Sequence, residues 1–325
     1  ACCARARGQG IKGPGGRAEQ RERGMLRTIY RAGLRRLPYV QALQARIAAQ
    51  GRFDAGHFYS PTPAPQDVEE RLAMRRGVEQ VRDVDYAVET QLQELASLAE
   101  VGGDCPYGGT EAAAAARWRP DQEMFSLSDA VILWCMVRRH RPRRIVEVGS
   151  GWSTAAMLDA LDAPGLEETA LTCVEPYPDR LLSTLRPADE ARLTLHAERV
   201  QTAPRAAFEA LEAGDLLFID SSHVCKCGSD LQALLFDVLP ALAPGVLIHF
   251  HDVFADFEYP PHWMRDRGIF WNECYLLRAL LAGSTTYRMA VFNNHVLPLA
   301  AARGVPMPPV DAARPGGSLY LRKVA

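Results

Sequence analysis

The chain of 325 residues carries 37 basic and 39 acidic side chains, and its formal net charge of −2 gives no global positive field that would favour a nucleic acid as partner. Hydrophobic residues make up 48% of the chain, enough for a sizeable core, and no uninterrupted apolar run is long enough to span a membrane. The eight cysteines are scattered and form no dense disulfide framework, so we expect a reduced, cytoplasmic protein.

The N-terminal residues differ in composition from the rest of the chain. Residues 1–24 are rich in Gly and Arg and precede Met25, so we interpret them as a tag or a disordered leader. Apolar residues at helical spacing in residues 25–50 predict two amphipathic helices around Pro38. A basic amphipathic helix can lie on a membrane, but we favour an arm that docks on the protein or forms a homodimer.

An extended, proline-rich segment covers residues 56–65. Its Tyr59 either lines a substrate pocket or belongs to a strap packed over the surface, and both interpretations stay open. Two more helices are predicted before a polar, Gly- and Ala-rich linker. We therefore predict an N-terminal helical and extended region over residues 25–120 and a core domain over residues 121–325.

Strands and helices alternate from residue 126 onward. Ser128 and Asp129 are predicted to cap an apolar helix over residues 130–137. Five predicted strands, separated by helices, follow at residues 144–148, 170–174, 192–196, 215–219 and 246–250. This alternation is typical of an α/β fold with a doubly wound parallel sheet, in which ligands bind at the carboxyl ends of the strands.

The pattern changes after the fifth strand. Residues 254–270 are aromatic, proline-rich and charged, which predicts a loop or lid over the site. A helix is predicted over residues 271–281. Two further strands, 287–292 and 318–323, are predicted with a loop and no full helix between them. We expect them to form an antiparallel pair at one edge of a seven-stranded sheet.

A glycine-rich turn follows the first strand. Gly149 and Gly151, with Ser150 between them, let the backbone turn sharply and approach a ligand closely. Ser153 and Thr154 are suited to capping the next helix, whose free N–H groups face a ligand. The segment predicts a strand, a tight turn and a helix that together bind a nucleotide-like cofactor.

The flanking residues narrow the choice of cofactor. Glu175 ends the second strand, where a carboxylate can accept hydrogen bonds from both ribose hydroxyls, although an NAD-binding protein would also have an acid there. Three features argue against NAD. The third glycine of the dinucleotide fingerprint is missing, Glu147 lies just before the turn, and the last two strands form an antiparallel pair.

These features resemble the class I S-adenosylmethionine (SAM)-dependent methyltransferases, whose first motif is an acid, one residue and a glycine-rich turn, here residues 147–151. The resemblance extends over about residues 125–323. Residues 218–223, 250–253 and 316–323 are similar to a bacterial subgroup described as a methyltransferase domain of family 24 type, near the macrocin-type O-methyltransferases and cephalosporin hydroxylase-like proteins. This chain departs from many members in having Ser153 where they carry glycine.

The resemblance implies a Rossmann-like seven-stranded sheet with an antiparallel last strand pair, an N-terminal helical extension, and SAM as the cofactor. Residues 198–201 would border the adenine. The cofactor-binding residues that it implies are Glu147, Gly149, Ser150, Gly151, Ser153, Glu175 and Asp220.

The candidate catalytic residues lie where the fourth and fifth strands end: Asp220, His223, His251 and Asp252. In one interpretation an imidazole removes the acceptor proton and a carboxylate orients it. In the other, Asp220 and Asp252 hold a divalent metal, such as Mg²⁺, that acidifies the acceptor hydroxyl, as in the metal-dependent O-methyltransferases that the chain resembles.

Other polar and aromatic residues near this end of the sheet have competing interpretations. His249 lies on an apolar strand and is expected to be structural. The His223, Cys225 and Cys227 spacing matches no common four-ligand zinc pattern. Besides Tyr59, the side chains expected to bind the acceptor substrate are Tyr259, Trp263, Trp271 and Asn272.

The sequence thus predicts SAM-dependent methyl transfer to a small-molecule acceptor. O-methylation of a sugar or secondary-metabolite hydroxyl is favoured. N-methylation of an amine or peptide, and a non-catalytic SAM-binding partner subunit, are the alternatives.

Overall fold

The computed structural model describes residues 37–42, 53–107 and 115–325. The predicted leader and most of the amphipathic arm lie outside the described residues. Contacts divide the chain into two units, residues 1–73 and residues 74–325, while the boundary near residue 120 between the N-terminal region and the core domain stays a prediction.

The first unit contains a short aromatic cluster and helix α1, Pro65–Met74, which ends at the boundary between the units. The rings of Phe53 and His57 stack with centroids 4.6 Å apart, and Phe58 stacks on the other side of His57 at 4.4 Å. Tyr59 is 67% exposed in this cluster. The helix confirms the prediction of a helix after residue 65.

The second unit is built on one seven-stranded sheet in the order β3-β2-β1-β4-β5-β7-β6. Its strands are β1 Arg144–Val148, β2 Ala170–Val174, β3 Leu193–His196, β4 Leu216–Ile219, β5 Leu247–Phe250, β6 Tyr287–Phe292 and β7 Leu319–Lys323. The first five are parallel, and β7 runs antiparallel between β5 and β6. The predicted doubly wound sheet with an antiparallel end is therefore confirmed.

Helices flank and connect these strands. They are α2 Val88–Gly102, α3 Leu127–His140, α4 Trp152–Leu161, α5 Asp179–Thr184, α6 Arg205–Glu209, α7 Asp230–Ala233, α8 Leu239–Ala241, α9 Pro261–Asp266, α10 Glu273–Leu281 and α11 Asn293–Arg303. Helix α3 is buried along most of its length because its side chains are apolar almost all round, and α2 packs against it through Leu92, Leu95 and Leu98.

Three local predictions were wrong. The N-cap of α3 is Ser126, whose side chain accepts a hydrogen bond from the Asp129 amide, so the cap lies two residues earlier than expected. The single helix predicted after β4 is interrupted by a π-helical turn, Leu234–Val238, between α7 and α8. The two last strands are joined by a full helix, α11, which contains Pro298. That proline lies after the first turn and made the segment resemble a loop.

Among the helices that the structure describes, none combines the length and apolar character needed to cross a bilayer.

Candidate active site

The turn after β1 is closed by contact with the end of β4. Gly149 has φ +86°, and a Cβ atom at this position would lie 1.7 Å from the carbonyl oxygen of Asp220. A side chain therefore cannot be accommodated without separating the two strand ends. This close approach places the glycine-rich turn and Asp220 side by side at the carboxyl edge of the sheet.

Glu147 faces away from the ligand side of the turn. Its carboxylate is fully buried and accepts hydrogen bonds from Ser153 Oγ at 2.6 Å and Thr154 Oγ1 at 2.5 Å. Burial raises the pKa of Glu147 to about 7, against the opposing effect of these hydroxyls. The sequence predicted a direct contact with the cofactor, whereas the structure makes Glu147 a link between β1 and the first turn of α4.

Glu175 borders a cleft of about 370 Å³ at the strand ends. Its Oε2 accepts a hydrogen bond from the Ser150 amide at 3.1 Å, and its Oε1 accepts one from the Tyr177 amide at 2.7 Å. Because a carboxylate has about four acceptor positions, Glu175 retains capacity for a ligand. The cleft is lined by Met124, Phe125, Gly149, Ser150, Gly151, Trp152, Ser153, Glu175, Arg180, Asp220, Ser221, Ser222, His223, Asp252 and Trp271.

The structure places two groups of predicted cofactor-binding residues at different sites. Ser150 and Ser153 do line the cleft, and Ser150 Oγ is buried with no hydrogen-bond partner among the described residues. Residues 198–201, expected near the adenine, are absent from the lining of this cleft. Val200 and Gln201 instead border a separate cavity of about 290 Å³ beside α6 and α7.

A cluster of acids and imidazoles lies next to the glycine-rich turn: Asp220, His223 and Asp252 line the cleft, and His251 is buried beside them. His223 Nε2 lies 3.3 Å from Asp220 Oδ1 and 3.7 Å from Asp252 Oδ2. His251 Nδ1 lies 3.6 Å from Asp220 Oδ2 and also 3.6 Å from Asp252 Oδ1. The structure thus brings together all four residues predicted to carry the chemistry.

The charges in this cluster are strongly coupled. Burial acts to raise the pKa of Asp220, but His251 and His223 outweigh it and hold that pKa well below its usual range. Burial acts to lower the pKa of His223, but Asp220 and Glu273 outweigh it and raise the pKa to about 10. Burial raises the pKa of Asp252 despite the two imidazoles. Asp220 and Asp252 therefore both interact with the same two imidazoles, His223 and His251.

Two buried acids contact the cluster in a way that the sequence did not predict. Glu273, the first residue of α10, has Oε2 2.7 Å from His223 Nδ1. Asp129, in the first turn of α3, has Oδ2 3.5 Å from His251 Nε2. Each acid therefore contacts one imidazole of the cluster, Glu273 that of His223 and Asp129 that of His251. Local sequence offered no signal for either contact, because both acids resemble ordinary first-turn helix residues.

The predicted acceptor-binding residues differ in exposure. Trp271 lines the cleft and stacks on His223 with ring centroids 4.3 Å apart. Trp263 packs edge-on against Trp271 at 5.4 Å. Tyr259 is only 1% exposed, and its hydroxyl accepts a hydrogen bond from the Cys274 amide. Tyr259 lies beneath the two tryptophans in this structure and does not line the cleft.

Asn272 organises the loop after β4. Its Oδ1 accepts a hydrogen bond from the Cys225 amide at 2.7 Å, and its Nδ2 donates one to the Cys225 carbonyl at 3.1 Å. The backbone amide of Asn272 also donates to the carbonyl of His223. Asn272 thus holds His223 in place and is absent from the cleft lining. His223 itself has φ +58°, a left-handed conformation that these contacts stabilise.

The remaining histidine and cysteine predictions concern structural alternatives. His249 is fully buried, and its Nε2 lies 3.0 Å from Ser318 Oγ, while burial holds its pKa well below the usual value. This matches the expected structural histidine. Among the described residues, the His, Cys, Asp and Glu group that could hold a metal ion consists of Asp220, His223 and Asp252, and it includes neither Cys225 nor Cys227.

The glycine turn, Glu175 and the acids and imidazole of the cluster thus line one cleft at the carboxyl edge of the sheet, where α/β folds commonly bind ligands. Residues 146–253 match the model of a family described as "Methyltransferase domain". The predicted resemblance to a methyltransferase domain is confirmed over that segment.

One relative among curated proteins is an uncharacterized protein of Archaeoglobus fulgidus, 30% identical over 134 residues. The match covers 40% of this chain and 61% of the relative, so the chain spans less than two thirds of that protein's length.

Solved structures similar to this chain include methyltransferases. The SAH-bound methyltransferase PaMTH1 of Podospora anserina is 18% identical, with 81% of this chain and 98% of that chain covered and a TM-score of 0.40. The O-methyltransferase TomG of Streptomyces achromogenes, in complex with SAM, is 16% identical, with 72% and 90% covered and a TM-score of 0.42. An O-methyltransferase of Bacillus cereus in complex with SAH is 15% identical, with 72% and 100% covered and a TM-score of 0.41.

Proposed function

We propose that the protein transfers a methyl group from SAM to a hydroxyl of a small-molecule acceptor. The observation that carries this proposal is the single cleft with two different walls. One wall is the glycine turn with Glu175, and the other is formed by Asp220, His223 and Asp252, with the buried His251 in contact with both acids. Donor and acceptor groups would meet between them.

The donor wall suits SAM in three respects. Glu175 can accept hydrogen bonds from the ribose hydroxyls. Ser150 Oγ is a buried polar atom that lacks a protein partner among the described residues, and a ligand group could supply one. Asp220 and Glu175 place negative charge near a cofactor that carries a sulfonium cation. When bound, SAM supplies an electrophilic methyl group, and the protein's part is to position the acceptor in line with it.

The acceptor wall suits a divalent metal ion as well. Asp220, His223 and Asp252 each offer one ligand atom, and these atoms lie within 4.8 Å of one another. The other ring nitrogen of His223 contacts Glu273 at 2.7 Å, and metal-ligating histidines commonly have a carboxylate in this position. A bound ion would acidify an acceptor hydroxyl. The imidazole ligand favours an ion such as Mn²⁺ over Mg²⁺, which prefers oxygen ligands only.

A protein-only mechanism would use His223 or His251 as the general base. Both imidazoles have raised pKa values because carboxylates surround them, so they hold their protons at neutral pH. A protonated imidazole cannot accept a proton from the acceptor. A metal ligand must also be a neutral imidazole, so the raised pKa values do not favour either interpretation, and the EDTA experiment below decides between them.

The acceptor class that we propose is a sugar or secondary-metabolite hydroxyl. Trp271 and Phe125 line the cleft next to the acid–imidazole cluster, and a ring or sugar face could stack there. A cytoplasmic location and a homodimer through the N-terminal helices remain parts of the same proposal.

Ligand binding by thermal shift tests the proposal. SAH should raise the melting temperature, whereas NADH should not. SAM with a tritiated methyl group and a panel of hydroxyl acceptors then tests transfer. EDTA should abolish transfer without removing SAH binding, and added Mn²⁺ should restore it. If SAH does not raise the melting temperature, the cofactor assignment is wrong. If EDTA does not reduce methyl transfer, the metal assignment is wrong.

Variants separate the two walls. Asp252→Asn should lower transfer at least tenfold while SAH still stabilises the protein, because Asp252 belongs to the acceptor wall. Glu175→Gln should weaken SAH binding. If Asp252→Asn transfers methyl groups at the wild-type rate, the chemistry does not occur at this cluster.

A further inference from the structure

Asp129 lies in the first turn of α3 and is fully buried. Its Oδ1 accepts hydrogen bonds from Asn293 Nδ2 at 3.1 Å, the Gly317 amide at 3.1 Å and the Ser318 amide at 3.0 Å. These donors come from two segments more than 150 residues away along the chain. A simple helix cap needs none of them, so this carboxylate has another task.

The second oxygen of Asp129 has a different environment. Oδ2 accepts a hydrogen bond from Ser126 Oγ at 2.6 Å and lies 3.5 Å from His251 Nε2. That ring nitrogen is buried and has no closer hydrogen-bonding atom among the described residues than the Asp129 carboxylate, which is the acid that faces it. The Gly317 amide is shared, since it also lies 3.2 Å from Oδ2, whereas the Asn293 and Ser318 donors bond Oδ1 alone and the imidazole faces Oδ2.

The chain wraps closely around this carboxylate. Gly316 has φ +81°, and a Cβ atom there would lie 2.3 Å from Asp129 Oδ2. A Cβ atom on Gly317 would lie 3.0 Å from the Cα atom of Asp252. The glycine pair therefore allows one turn to fit between the buried acid and the acidic end of β5, and it leaves Asp129 no freedom to move away from His251.

We propose that Asp129 is a positioning residue that holds the Nε2–H of His251 and thereby directs the Nδ1 side of the ring at Asp220 and Asp252. The proposal rests on the function proposed above, which places those two acids beside the acceptor. With the ring fixed in this way, His251 keeps the two carboxylates at equal distances of 3.6 Å on either side of one nitrogen.

The substitution Asp129→Asn tests the proposal at one atom. Two N–H donors, from Asn293 and Ser318, bond Oδ1 alone, and the Gly317 amide is shared by both oxygens, so the carbonyl oxygen of the asparagine is expected at the Oδ1 position. Its NH₂ group then replaces Oδ2 and points at His251 Nε2. Two donors cannot face each other, so the imidazole must release the Nε2 proton or turn.

Ser126→Ala is the matched control. It removes the hydrogen bond from Ser126 Oγ to Asp129 and weakens the cap of α3, but leaves the carboxylate facing His251. Both variants are expected to lower the melting temperature. The Asp129→Asn variant alone should move the ring proton.

The measurement is ¹⁵N NMR of protein labelled on histidine, with the His251 signals assigned as those lost in His251→Gln. The wild type and Ser126→Ala should show a protonated Nε2, with its proton in slow exchange with water. Asp129→Asn should show the ¹⁵N shift of an unprotonated Nε2. In transfer assays, Asp129→Asn should lower kcat at least tenfold with the KM for SAM within twofold, whereas Ser126→Ala should keep both within twofold.

The proposal is overturned if the His251 signals of Asp129→Asn are the same as those of the wild type. It is also overturned if kcat falls in both variants in proportion to their loss of melting temperature. If Asp129→Asn fails to fold, the wild type alone decides, because the absence of a slowly exchanging Nε2 proton contradicts the contact. The NMR comparison needs no substrate. A protein that neither binds SAH nor transfers methyl groups would therefore refute the proposed function and leave this test intact.

Discussion

Glu147 is an ionisable residue in a place where ionisation opposes folding. Its pKa rises from 4.5 to about 7 in the folded protein because the carboxyl group is buried. The folded state therefore binds the proton more tightly than the unfolded state does. The free energy of unfolding that this group contributes is highest below pH 4.5, falls as the pH rises, and levels off above pH 7.

The substitution Glu147→Gln should remove this pH dependence. The pKa change corresponds to about 3 kcal/mol, so the difference in free energy of unfolding between variant and wild type should change by about that amount between pH 4 and pH 8, in favour of the variant at high pH. Urea unfolding at the two pH values measures it. Parallel stability curves for the two proteins would contradict a raised pKa for the buried Glu147 carboxyl group.

Substitution of Gly149 is expected to lower the free energy of unfolding through one specific contact. In Gly149→Ala the new Cβ atom would meet the carbonyl oxygen of Asp220 and must push the ends of β1 and β4 apart. Gly214 has a similar φ of +90° but has nothing within 4 Å of its Cβ position, so Gly214→Ala is the matched control for backbone strain alone.

We expect Gly214→Ala to cost about 1–2 kcal/mol, the usual penalty of a left-handed conformation. Gly149→Ala should cost about 2 kcal/mol more, since overpacking adds to the strain. Only Gly149→Ala should weaken SAH binding. Urea unfolding measures the loss of stability, and SAH titration measures the loss of cofactor affinity. If both variants lose the same amount of stability and affinity, the contact between the strand ends does not constrain the turn.

The candidate site could be predicted from sequence to the extent that its residues follow strands. Gly149, Glu175, Asp220 and Asp252 were found because strand ends in an open parallel sheet converge at one edge. The direction of the Glu147 side chain was not predictable, since a strand residue can face either layer of helices. Asp129 was identified only as a helix cap, because its other partners lie far along the chain.

At the scale of single elements, the segment after β5 is held from one side by Arg75. The guanidinium donates to both carboxylate oxygens of Asp256, at 2.6 and 2.7 Å, and to the carbonyl oxygen of Tyr259 at 3.0 Å. Tyr86 adds a hydrogen bond from its hydroxyl to the carbonyl of Ala255. A bidentate pair of this kind fixes both position and orientation. The predicted lid is therefore anchored where it leaves the sheet.

The substitution Arg75→Ala should loosen residues 254–260 and leave the donor wall of the cleft unchanged. We expect faster amide hydrogen exchange in that segment and about a tenfold lower kcat/KM for the acceptor, with SAH affinity within twofold. The exposed neighbour Arg76 provides the control variant Arg76→Ala. Exchange rates that are the same in both variants would exclude an anchoring role for Arg75.

Elements were predictable where their local pattern was strong. The seven strands lie within about a residue of their predicted bounds because apolar runs between turns mark them clearly. Helix α11 was missed because Pro298 lies inside it, whereas in the structure the amide of its N-cap residue Phe292 donates to the buried Gln91 side chain. Such support comes from tertiary contacts, and a local pattern cannot contain it.

At the scale of the whole second unit, Arg117 connects three distant parts of the chain. It donates to Asp189 at 2.7 and 2.8 Å, to Asp162 at 2.5 Å, and to Asp159 at 3.1 Å. Asp159 lies in α4, Asp162 just beyond its end, and Asp189 before β3. The Arg117 side chain is 4% exposed. The segment that leads to the cleft residue Phe125 is therefore fixed to the sheet layers by one buried cation.

The substitution Arg117→Ala should destabilise the protein by about 3–5 kcal/mol, because it leaves buried carboxylates without their counter-charge. The exposed Arg119 gives the control variant Arg119→Ala, expected within about 0.5 kcal/mol of wild type.

The pH dependence of the free energy of unfolding should distinguish the ion pairs of Arg117 from the packing of its side chain. Burial acts to raise the pKa values of Asp162 and Asp189, but Arg117 outweighs it and lowers both below 3.8. Their contribution to stability is therefore present above pH 4 and is lost as the pH falls through the lowered values. Arg117→Ala should lack this part of the acid dependence, so its free energy of unfolding should approach that of the wild type as the pH falls below 4. Urea unfolding from pH 7 to pH 3 measures the convergence, and a constant difference over that range would assign the loss to packing alone.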